Sequence, residues 1–285
     1  MGRKSILVGL VGAGIQASLM PRLHEKEGDE LGMRYLYKLI DLDVLGLSAA
    51  DLPEILTTAE RCDFAGLNIT YPCKQAVIEQ LDELSSDARA IGAVNTVLFR
   101  NGRRLGHNTD WTGFAESFRR TFADVARNRV VQFGAGGAGA AVAHALLTLD
   151  VRRLVLVDTD RKRARDLAEL LCSHFGPGRA DTSDDPAAAL AAADGLVNTT
   201  PIGMAKFPGM AFPANLLSPR LWVSEIIYFP LETELLREAG MRGCRTMSGA
   251  GMAVFQAVEA FRLFSRAEPD AERMLAHFAE LTGAP

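Results

Sequence analysis

Residues 130–139 read Val130-Val131-Gln132-Phe133-Gly134-Ala135-Gly136-Gly137-Ala138-Gly139, and this stretch decides the fold class. An apolar run enters a glycine turn, and the alanine-rich residues 140–147 that follow are typical of a helix. The glycines at 134, 136 and 139 have the G-x-G-x-x-G spacing. In that motif the first glycine allows a tight turn, the second lets the backbone approach a pyrophosphate, and the third lets helix and strand pack closely. The amino end of the helix then offers N–H groups to the anion.

A second apolar run, residues 154–157, ends at Asp158, about 20 residues beyond the turn, where a carboxylate would meet a ribose 2′-hydroxyl. Strand, glycine turn, helix, second strand and acid, in this order, predict a Rossmann-type domain that binds a dinucleotide. The simpler alternative is a glycine turn that joins a strand to a helix and binds nothing.

The composition is typical of a globular enzyme. The 285 residues are enough for two domains, and 48% of them are apolar and 23% charged. The net charge of −4 argues against nucleic acid or an anionic membrane as a partner. No apolar run approaches the roughly 18 residues that span a bilayer. The short apolar run over residues 5–11 predicts a first strand and not a secretory signal.

The four cysteines, at positions 62, 73, 172 and 244, form no C-x-x-C pair, and the five histidines are scattered. This pattern predicts reduced thiols in a cytoplasmic protein and no metal site.

Apolar runs alternate with helical patterns along the whole chain, which predicts an α/β protein built on parallel sheets. The predicted strands are residues 6–11, 35–40, 64–69, 94–99, 130–133, 154–157, 195–198, 222–227 and 244–247. The predicted helices are residues 48–58, 74–84, 111–122, 140–147, 187–193, 252–264 and 271–281. Asn101-Gly102 is a hairpin turn signal.

We expect two domains. Residues 1–110 form an N-terminal α/β domain that binds substrate and carries catalytic groups, completed by C-terminal helices at about 256–285. Residues 111–255 form the Rossmann-type dinucleotide-binding domain. A cleft is expected between the domains, since small-molecule sites tend to lie in such clefts.

Another glycine turn follows the first predicted strand. Residues 12–17 fit G-x-G-x-x-A, a permitted variant of the same fingerprint. Pro21 falls where the following helix should run, and a proline inside a helix costs about 3 kcal/mol. We therefore predict that the dinucleotide binds at the 134–139 turn.

Lys74 ends the stretch Asn68-Ile69-Thr70-Tyr71-Pro72-Cys73-Lys74, which leaves a strand and is expected to open a helix. A cation is poorly placed at a helix start, which favours release of its proton. The chain has six lysines among its 31 Lys and Arg residues, and arginine cannot transfer protons at ordinary pH, so a lysine here suggests proton transfer. The simpler alternative is a solvated lysine.

Other polar residues have ordinary interpretations. Asp110 precedes a predicted helix, so on spacing alone it is better explained as an N-cap. Asn95 can be a turn residue and Gln256 an exposed helix residue. The stretch Asn198–Met204 follows a predicted strand of the second domain, where ligands of open α/β sheets bind.

The chain resembles the shikimate dehydrogenase family, and within it the NAD-dependent quinate/shikimate dehydrogenases, from about residue 6 to the last helix. The motifs are Asn-Ile-Thr-Tyr-Pro-Cys-Lys, Gly-Ala-Val-Asn-Thr, Asn-Thr-Asp-Trp-Thr-Gly-Phe, the glycine turn, Asn-Thr-Thr-Pro-Ile-Gly-Met and Gly-x-Gly-Met-x-x-x-Gln.

The resemblance implies an oxidoreductase of the shikimate pathway that interconverts the C3 hydroxyl of shikimate or quinate with the 3-dehydro ketone. It implies that Lys74 accepts the hydroxyl proton and that Asp110 holds both the hydroxyl and the lysine. It assigns the substrate to Ser18, Thr70, Asn95, Tyr228 and Gln256. Cofactor contacts are expected from Gly134, Gly136, Gly137, Ala138, Gly139, Asp158, Arg163, Thr199, Pro201, Met204 and Gly251.

The expected cofactor is NAD. Family members that use NADP typically carry Asn-Arg-Thr where this chain has Asp158-Thr159-Asp160, and a 2′-phosphate would be repelled by these acids. The basic residues 161–163 leave some use of NADP open.

The chain departs from the family in its first loop. The usual Ser-x-Ser-Pro or Ser-Arg-Thr-Pro places two hydroxyls on the substrate carboxylate, whereas this chain has Ser18-Leu19-Met20-Pro21. A lost hydrogen bond to a charged group costs about 1.5–3 kcal/mol, so shikimate, quinate and an amino analogue all stay open as substrates. The alternatives are a dehydrogenase of another ring hydroxy acid and a nucleotide-binding regulator without turnover. The sequence is compatible with a monomer or a homodimer and leaves the physiological direction open.

Overall fold

The computed structural model describes residues 4–283. Over these residues the chain forms two compact units. The first comprises residues 4–109 and 254–283, and the second comprises Asp110–Ala253. The first unit is therefore assembled from two separate parts of the chain, with the second unit inserted between them.

Each unit is built around one sheet, and the elements alternate along the chain. The strands are β1 (Ser5–Gly12), β2 (Arg34–Asp41), β3 (Gly66–Ile69), β4 (Glu83–Leu84), β5 (Thr96–Arg100), β6 (Arg103–His107), β7 (Arg129–Phe133), β8 (Arg153–Val157), β9 (Ala180–Thr182), β10 (Gly195–Asn198), β11 (Trp222–Glu225) and β12 (Arg245–Met247). The helices are α1 (Met20–Glu30), α2 (Leu42–Leu45), α3 (Leu52–Arg61), α4 (Ser86–Ile91), α5 (Asp110–Thr121), α6 (Gly137–Thr148), α7 (Arg161–Phe175), α8 (Pro186–Ala191), α9 (Glu234–Met241), α10 (Ala250–Ser265) and α11 (Ala271–Thr282).

The sheet of the second unit has the order β9-β8-β7-β10-β11-β12, and all of its pairings are parallel. Numbered from β7, this is the 3-2-1-4-5-6 order of the Rossmann fold, which the sequence predicted. The strand order reverses between β7 and β10, and ligands of such sheets bind outside the carboxyl ends of the strands at this point.

The sheet of the first unit is mixed. Its order is β2-β1-β3-β5-β6-β4, in which β1 is parallel to β2 and β3, and β5 is antiparallel to β3 and β6. The expected parallel pairing is found among β1, β2 and β3, and the expected hairpin joins β5 to β6. Asn101 and Gly102 have φ of 54° and 68°, as a tight turn between antiparallel strands requires. The antiparallel pairing of β5 with β3 was not predicted.

The α10 and α11 helices complete the first unit. Tyr35 of β2 stacks on Phe261 of α10 with ring centroids 4.8 Å apart. Glu27 of α1 is 1% exposed and pairs with Arg273 of α11 at 2.6 Å. Aromatic packing and an ion pair between the buried Glu27 and the partly exposed Arg273 thus join the last helices to the first part of the chain.

Two local predictions are wrong. Residues 74–84 form a turn, a 3₁₀ helix at Ala76–Gln80 and the short β4, because backbone groups of this segment bond to neighbouring segments. Pro21 lies in the first turn of α1, where the missing N–H costs nothing, and not inside a helix. Among residues 4–283, no helix combines the length and the apolarity that crossing a membrane requires.

Candidate active site

The glycine turn lies between β7 and α6, which begins at Gly137. Gly134 has φ +97°, and a Cβ there would lie 2.6 Å from Oγ1 of Thr199. A Cβ on Gly139 would lie 2.6 Å from the Gly134 carbonyl oxygen, whereas a Cβ on Gly136 would meet nothing within 4 Å. Of the described residues, none caps the amino end of α6 with its side chain. A tight turn, open space at its centre and an uncapped helix start fit a dinucleotide pyrophosphate.

Two buried side chains hold this turn in shape. Gln132 Nε2 donates to the carbonyl oxygens of Gly134 at 2.8 Å and Gly139 at 2.9 Å. Thr199 Oγ1 donates to the carbonyl oxygens of Phe133 at 2.8 Å and Gly134 at 2.9 Å. The turn is therefore formed by hydrogen bonds within the protein, which lowers the entropy cost of binding.

Asp158 follows β8 and lies beside the turn. Its Oδ2 accepts from the Ala135 N–H at 2.7 Å, and its Oδ1 accepts from the Asp160 N–H at 2.8 Å and from Arg163 at 2.7 Å. Burial opposes ionisation of Asp158, but the hydrogen bonds from Arg163, Asp160 and Ala135 outweigh it and lower the pKa. A carboxylate is thus held where the sequence expects the adenosine ribose.

The basic residues beside Asp158 all have acidic partners. The pairs are Arg161–Asp184 at 3.1 Å, Lys162–Asp166 at 2.7 Å and Arg163–Asp158 at 2.7 Å. Their charge is therefore largely balanced within the protein.

The remaining predicted cofactor residues lie elsewhere in the second unit. Gly137 and Ala138 lie in the first turn of α6, Pro201 and Met204 in the loop after β10, and Gly251 near the start of α10. A Cβ on Gly251 would lie 2.3 Å from Oγ of Ser117, so close packing of α10 on α5 already requires this glycine.

Asp110 is the first residue of α5 and only 7% exposed. The helix begins one residue before the predicted start at Trp111, and the N-cap interpretation of Asp110 stays a prediction. A carboxylate is favoured at a helix amino end. Burial raises the pKa of the Tyr228 phenol, and the negative charge of Asp110 raises it further, so these two predicted residues are close enough to interact.

Lys74 is half-buried in the turn after β3. Its carbonyl oxygen accepts from the Val94 N–H at 2.8 Å, and the Cys73 N–H donates to the Thr70 carbonyl oxygen at 2.8 Å. Residues 70–74 are therefore held by backbone bonds, and the helix-dipole argument for Lys74 does not apply, because no helix begins there.

Thr70 occupies the space in front of the first glycine turn. A Cβ on Gly12 would lie 2.2 Å from its Cγ2. The N–H groups of Gly14 and Ile15 both donate to the Asp41 carboxylate at 3.0 Å. The amide donors of that turn already have an anion from the protein, which favours the 134–139 turn for the cofactor.

Asn95 is buried and links β3 to the segment before α5. Its carbonyl oxygen accepts from Ile69 N–H at 2.7 Å, and its Oδ1 accepts from Thr109 N–H at 2.7 Å. These bonds fix the backbone immediately before Asp110.

Ser18 and Gln256 lie on either side of the unusual Met20. Ser18 Oγ accepts from the Met20 N–H at 3.3 Å, and Gln256 Nε2 donates to Met20 Sδ at 3.1 Å. Within the first unit, Ser18 and Gln256 are therefore connected by their contacts with Met20. Thr70 and Lys74 lie in the turn after β3 and Asn95 bonds to β3 itself, so these three residues are connected through that strand.

The sequence reasoning missed the roles of Gln132 and Asp41. Both carried a signal: Gln132 is polar inside an apolar strand, and Asp41 ends a strand beside a glycine turn. Among residues 4–283, no cluster of three or more His, Cys, Asp and Glu side chains could hold a metal.

Comparison with known proteins places this geometry in context. Residues 10–97 match the model of the shikimate dehydrogenase substrate binding domain. The chain is 56% identical to a shikimate dehydrogenase (NADP(+)) of Streptomyces avermitilis, over 99% of this chain and 98% of that protein. It is 46% identical to a quinate/shikimate dehydrogenase (NAD(+)) of Corynebacterium efficiens, over 99% of this chain and 100% of that protein.

A solved structure is also similar. Quinate dehydrogenase from Corynebacterium glutamicum in complex with NAD superimposes with a TM-score of 0.91 at 43% identity, over 98% of this chain and 100% of that one. Similarity of this extent, in sequence and in structure, shows that the chain belongs to the shikimate dehydrogenase family.

Proposed function

We propose that this protein is a nicotinamide-dependent dehydrogenase that interconverts the ring C3 hydroxyl of shikimate or quinate with the corresponding ketone. The observation that carries the proposal is the preformed glycine turn, with Asp158 beside it, in a chain that matches shikimate and quinate dehydrogenases over nearly its whole length.

Lys74 is the proposed acid/base. A nicotinamide bound at the 134–139 turn would supply the hydride chemistry, as acceptor in oxidation and as donor in reduction. Lys74, as the free amine, accepts the hydroxyl proton as the C–O bond becomes a carbonyl, and as the ammonium it returns that proton in reduction. A positioned acid/base of this kind contributes about 10²–10⁴-fold to the rate.

Asp110 is proposed to accept a hydrogen bond from the Lys74 amine and so to hold it against the reacting hydroxyl. Asp110 is the buried first residue of α5. Substrate contacts are proposed for Ser18, Thr70, Asn95, Tyr228 and Gln256.

We propose NAD as the preferred cofactor. Asp158 supplies a carboxylate that can accept from both ribose hydroxyls and would repel a 2′-phosphate. The cations at 161–163, which could bind that phosphate, pair with carboxylates of this chain. The name of the Corynebacterium efficiens relative agrees with NAD, and that of the Streptomyces relative points to NADP.

Met20 supports a second candidate, a dehydrogenase of another ring hydroxy acid. Its side chain is buried and its sulfur accepts from Gln256, so no hydroxyl is offered at this position. A substrate whose acid group relies less on this loop would fit the arrangement.

Nicotinamide absorbance during turnover tests the proposal. Purified protein is mixed with shikimate, quinate or an aminoshikimate, each with NAD and with NADP. We expect reduction of NAD with shikimate or quinate, at a higher kcat/KM than with NADP. Turnover with only the amino compound would favour the second candidate, and a higher kcat/KM with NADP would contradict the argument from Asp158.

A further inference from the structure

Glu225 is a buried carboxylate that the proposed chemistry does not use. It is the last residue of β11 and is 0% exposed. Its Oε1 accepts from the N–H groups of Ile226 at 2.9 Å and Ile227 at 3.2 Å, and its Oε2 accepts from Thr233 Oγ1 at 3.2 Å. Asn198 Nδ2 lies 3.0 Å from both oxygens. Every one of these partners is a donor.

On one side these bonds lead to the loop after β10. Asn198 pairs with Glu225 in the sheet register, and its Nδ2 also donates to the Ile202 carbonyl oxygen at 3.1 Å. Its Oδ1 accepts from the Thr200 N–H at 3.2 Å and from Thr200 Oγ1 at 2.7 Å. Residues 199–204, which include three of the proposed cofactor contacts, are therefore shaped by the side chain that Glu225 orients.

On the other side the bonds enclose the loop of residues 226–233, which carries Tyr228. Glu225 binds the start of this loop through Ile227 and its end through Thr233. The two loops also touch, because a Cβ on Gly203 would lie 3.0 Å from Ile227 Cδ1 and 3.4 Å from Thr233 Cγ2. A single carboxylate thus bonds to both loops where they meet.

The chemistry of this position requires a carboxylate. A carboxylate only accepts hydrogen bonds, whereas a glutamine would turn one N–H donor towards the donors around it. Burial raises the pKa of Glu225 to about 7, although the donors lower it from the value that burial alone would give. Keeping such a group buried is unfavourable for folding, which indicates a function other than stability.

We propose that Glu225 is a positioning residue that fixes the 199–204 loop and the 226–233 loop relative to each other, so that the cofactor contacts and Tyr228 are held in one arrangement. The identity of the two bound molecules rests on the proposed function. The coupling of the two loops rests on the hydrogen bonds alone.

The test compares wild type with Glu225→Gln and Glu225→Asp in the full chain, with Glu238→Gln as the matched control. Glu238 lies on α9 and pairs with Arg242 near the surface. Hydrogen exchange without ligands is the first readout. We expect Glu225→Gln to speed exchange at least about tenfold in both loops and to leave β7 and β8 unchanged, since a charge-assisted hydrogen bond is worth about that factor or more.

Steady-state kinetics is the second readout. We expect Glu225→Gln to raise KM for cofactor and for substrate about tenfold each, with a smaller change in kcat, and Glu225→Asp to recover most of both.

Unchanged exchange in both loops, faster exchange in only one loop, or faster exchange spread evenly over the unit would overturn the proposal. So would equal losses in the Gln and Asp variants. If Glu225→Gln fails to fold, the Asp variant and its exchange pattern decide. A wild type that turns over neither shikimate nor quinate yet shows the coupled exchange would refute the proposed function and leave the coupling standing.

Discussion

The backbone N–H of Ala135 donates to Oδ2 of Asp158 at 2.7 Å. One residue belongs to the glycine turn and the other follows the neighbouring strand, so the group proposed to select the cofactor also shapes the turn proposed to bind it. A substitution at Asp158 should therefore affect cofactor choice and turn geometry together.

Asp158→Asn removes the charge and keeps the size of the side chain. We expect the ratio of kcat/KM with NAD to kcat/KM with NADP to fall about tenfold or more, because a charge-assisted hydrogen bond is lost and the repulsion of a 2′-phosphate disappears. Asp124→Asn, which removes the exposed partner of Arg245, is the control and should keep the ratio. An unchanged ratio in Asp158→Asn would remove this residue from cofactor selection.

Lys74→Ala removes the proposed acid/base. We expect kcat to fall by about 10²–10⁴-fold while NADH binding, followed by fluorescence, stays at the wild-type level. Lys26→Ala, which breaks an exposed pair with Glu30, serves as control and should retain full turnover. Wild-type kcat in Lys74→Ala would exclude the lysine from proton transfer.

Gln132→Leu keeps the volume of a fully buried side chain and deletes its two bonds to the turn. We expect the free energy of unfolding to fall by about 1–3 kcal/mol and the dissociation constant of NADH to rise, since the turn loses its internal support. Ser224→Ala is a matched control, because among the described residues Ser224 Oγ has no hydrogen-bond partner. Equal NADH affinity in the Leu variant and the wild type would show that the turn does not need Gln132.

Met20→Ser introduces the hydroxyl that the family pattern has at this position. We expect KM for shikimate to fall about tenfold, because one hydrogen bond to the substrate carboxylate is gained. Met241→Ser changes an exposed methionine on α9 and should leave KM unchanged. A higher KM in Met20→Ser would mean that the contact of the sulfur with Gln256 matters more for this enzyme's substrate than the missing hydroxyl.

Glu225 predicts a pH dependence of stability. Burial raises its pKa from 4.5 to about 7, so between these values the folded protein binds a proton more readily than the unfolded chain. Proton binding by Glu225 therefore stabilises the folded state, by about 3 kcal/mol in total, when the pH is below 4.5. This stabilisation is lost as the pH rises through 7. Urea unfolding across this range should show wild type losing stability relative to Glu225→Gln, which cannot titrate. Parallel curves for the two proteins would contradict the raised pKa.

The sequence predicted the second unit better than the first, for a physical reason. The strands and the glycine turn of the second unit are encoded by local runs, and β10 has the predicted bounds. Residues 74–84 instead follow bonds to distant segments, such as that between Lys74 and Val94, which no local pattern reveals. Pro21 shows the opposite error. The local rule that a proline disrupts the interior of a helix was applied to a residue that lies in the first turn of α1, where proline is tolerated.

The candidate site was predicted unevenly for the same reason. The glycine turn and Asp158 form a motif with fixed spacing, so their closeness could be predicted from the residues alone. Lys74 and Asp110 had stronger ordinary interpretations, and only the family resemblance raised them. Gln132 and Glu225 were missed as supporting residues. The loops to which a buried polar side chain bonds depend on the order of the strands, and no short segment of sequence reveals that order.

The interrupted course of the first unit also sets the order in which the enzyme can mature. During synthesis the whole of the second unit is made before α11 exists, so its residues are all present before the first unit can be completed. A messenger truncated after Ala253 would still encode that half, but β2 would lack Phe261 and Glu27 would lack Arg273. The part of the chain made first is thus the part that must wait longest for its finished form.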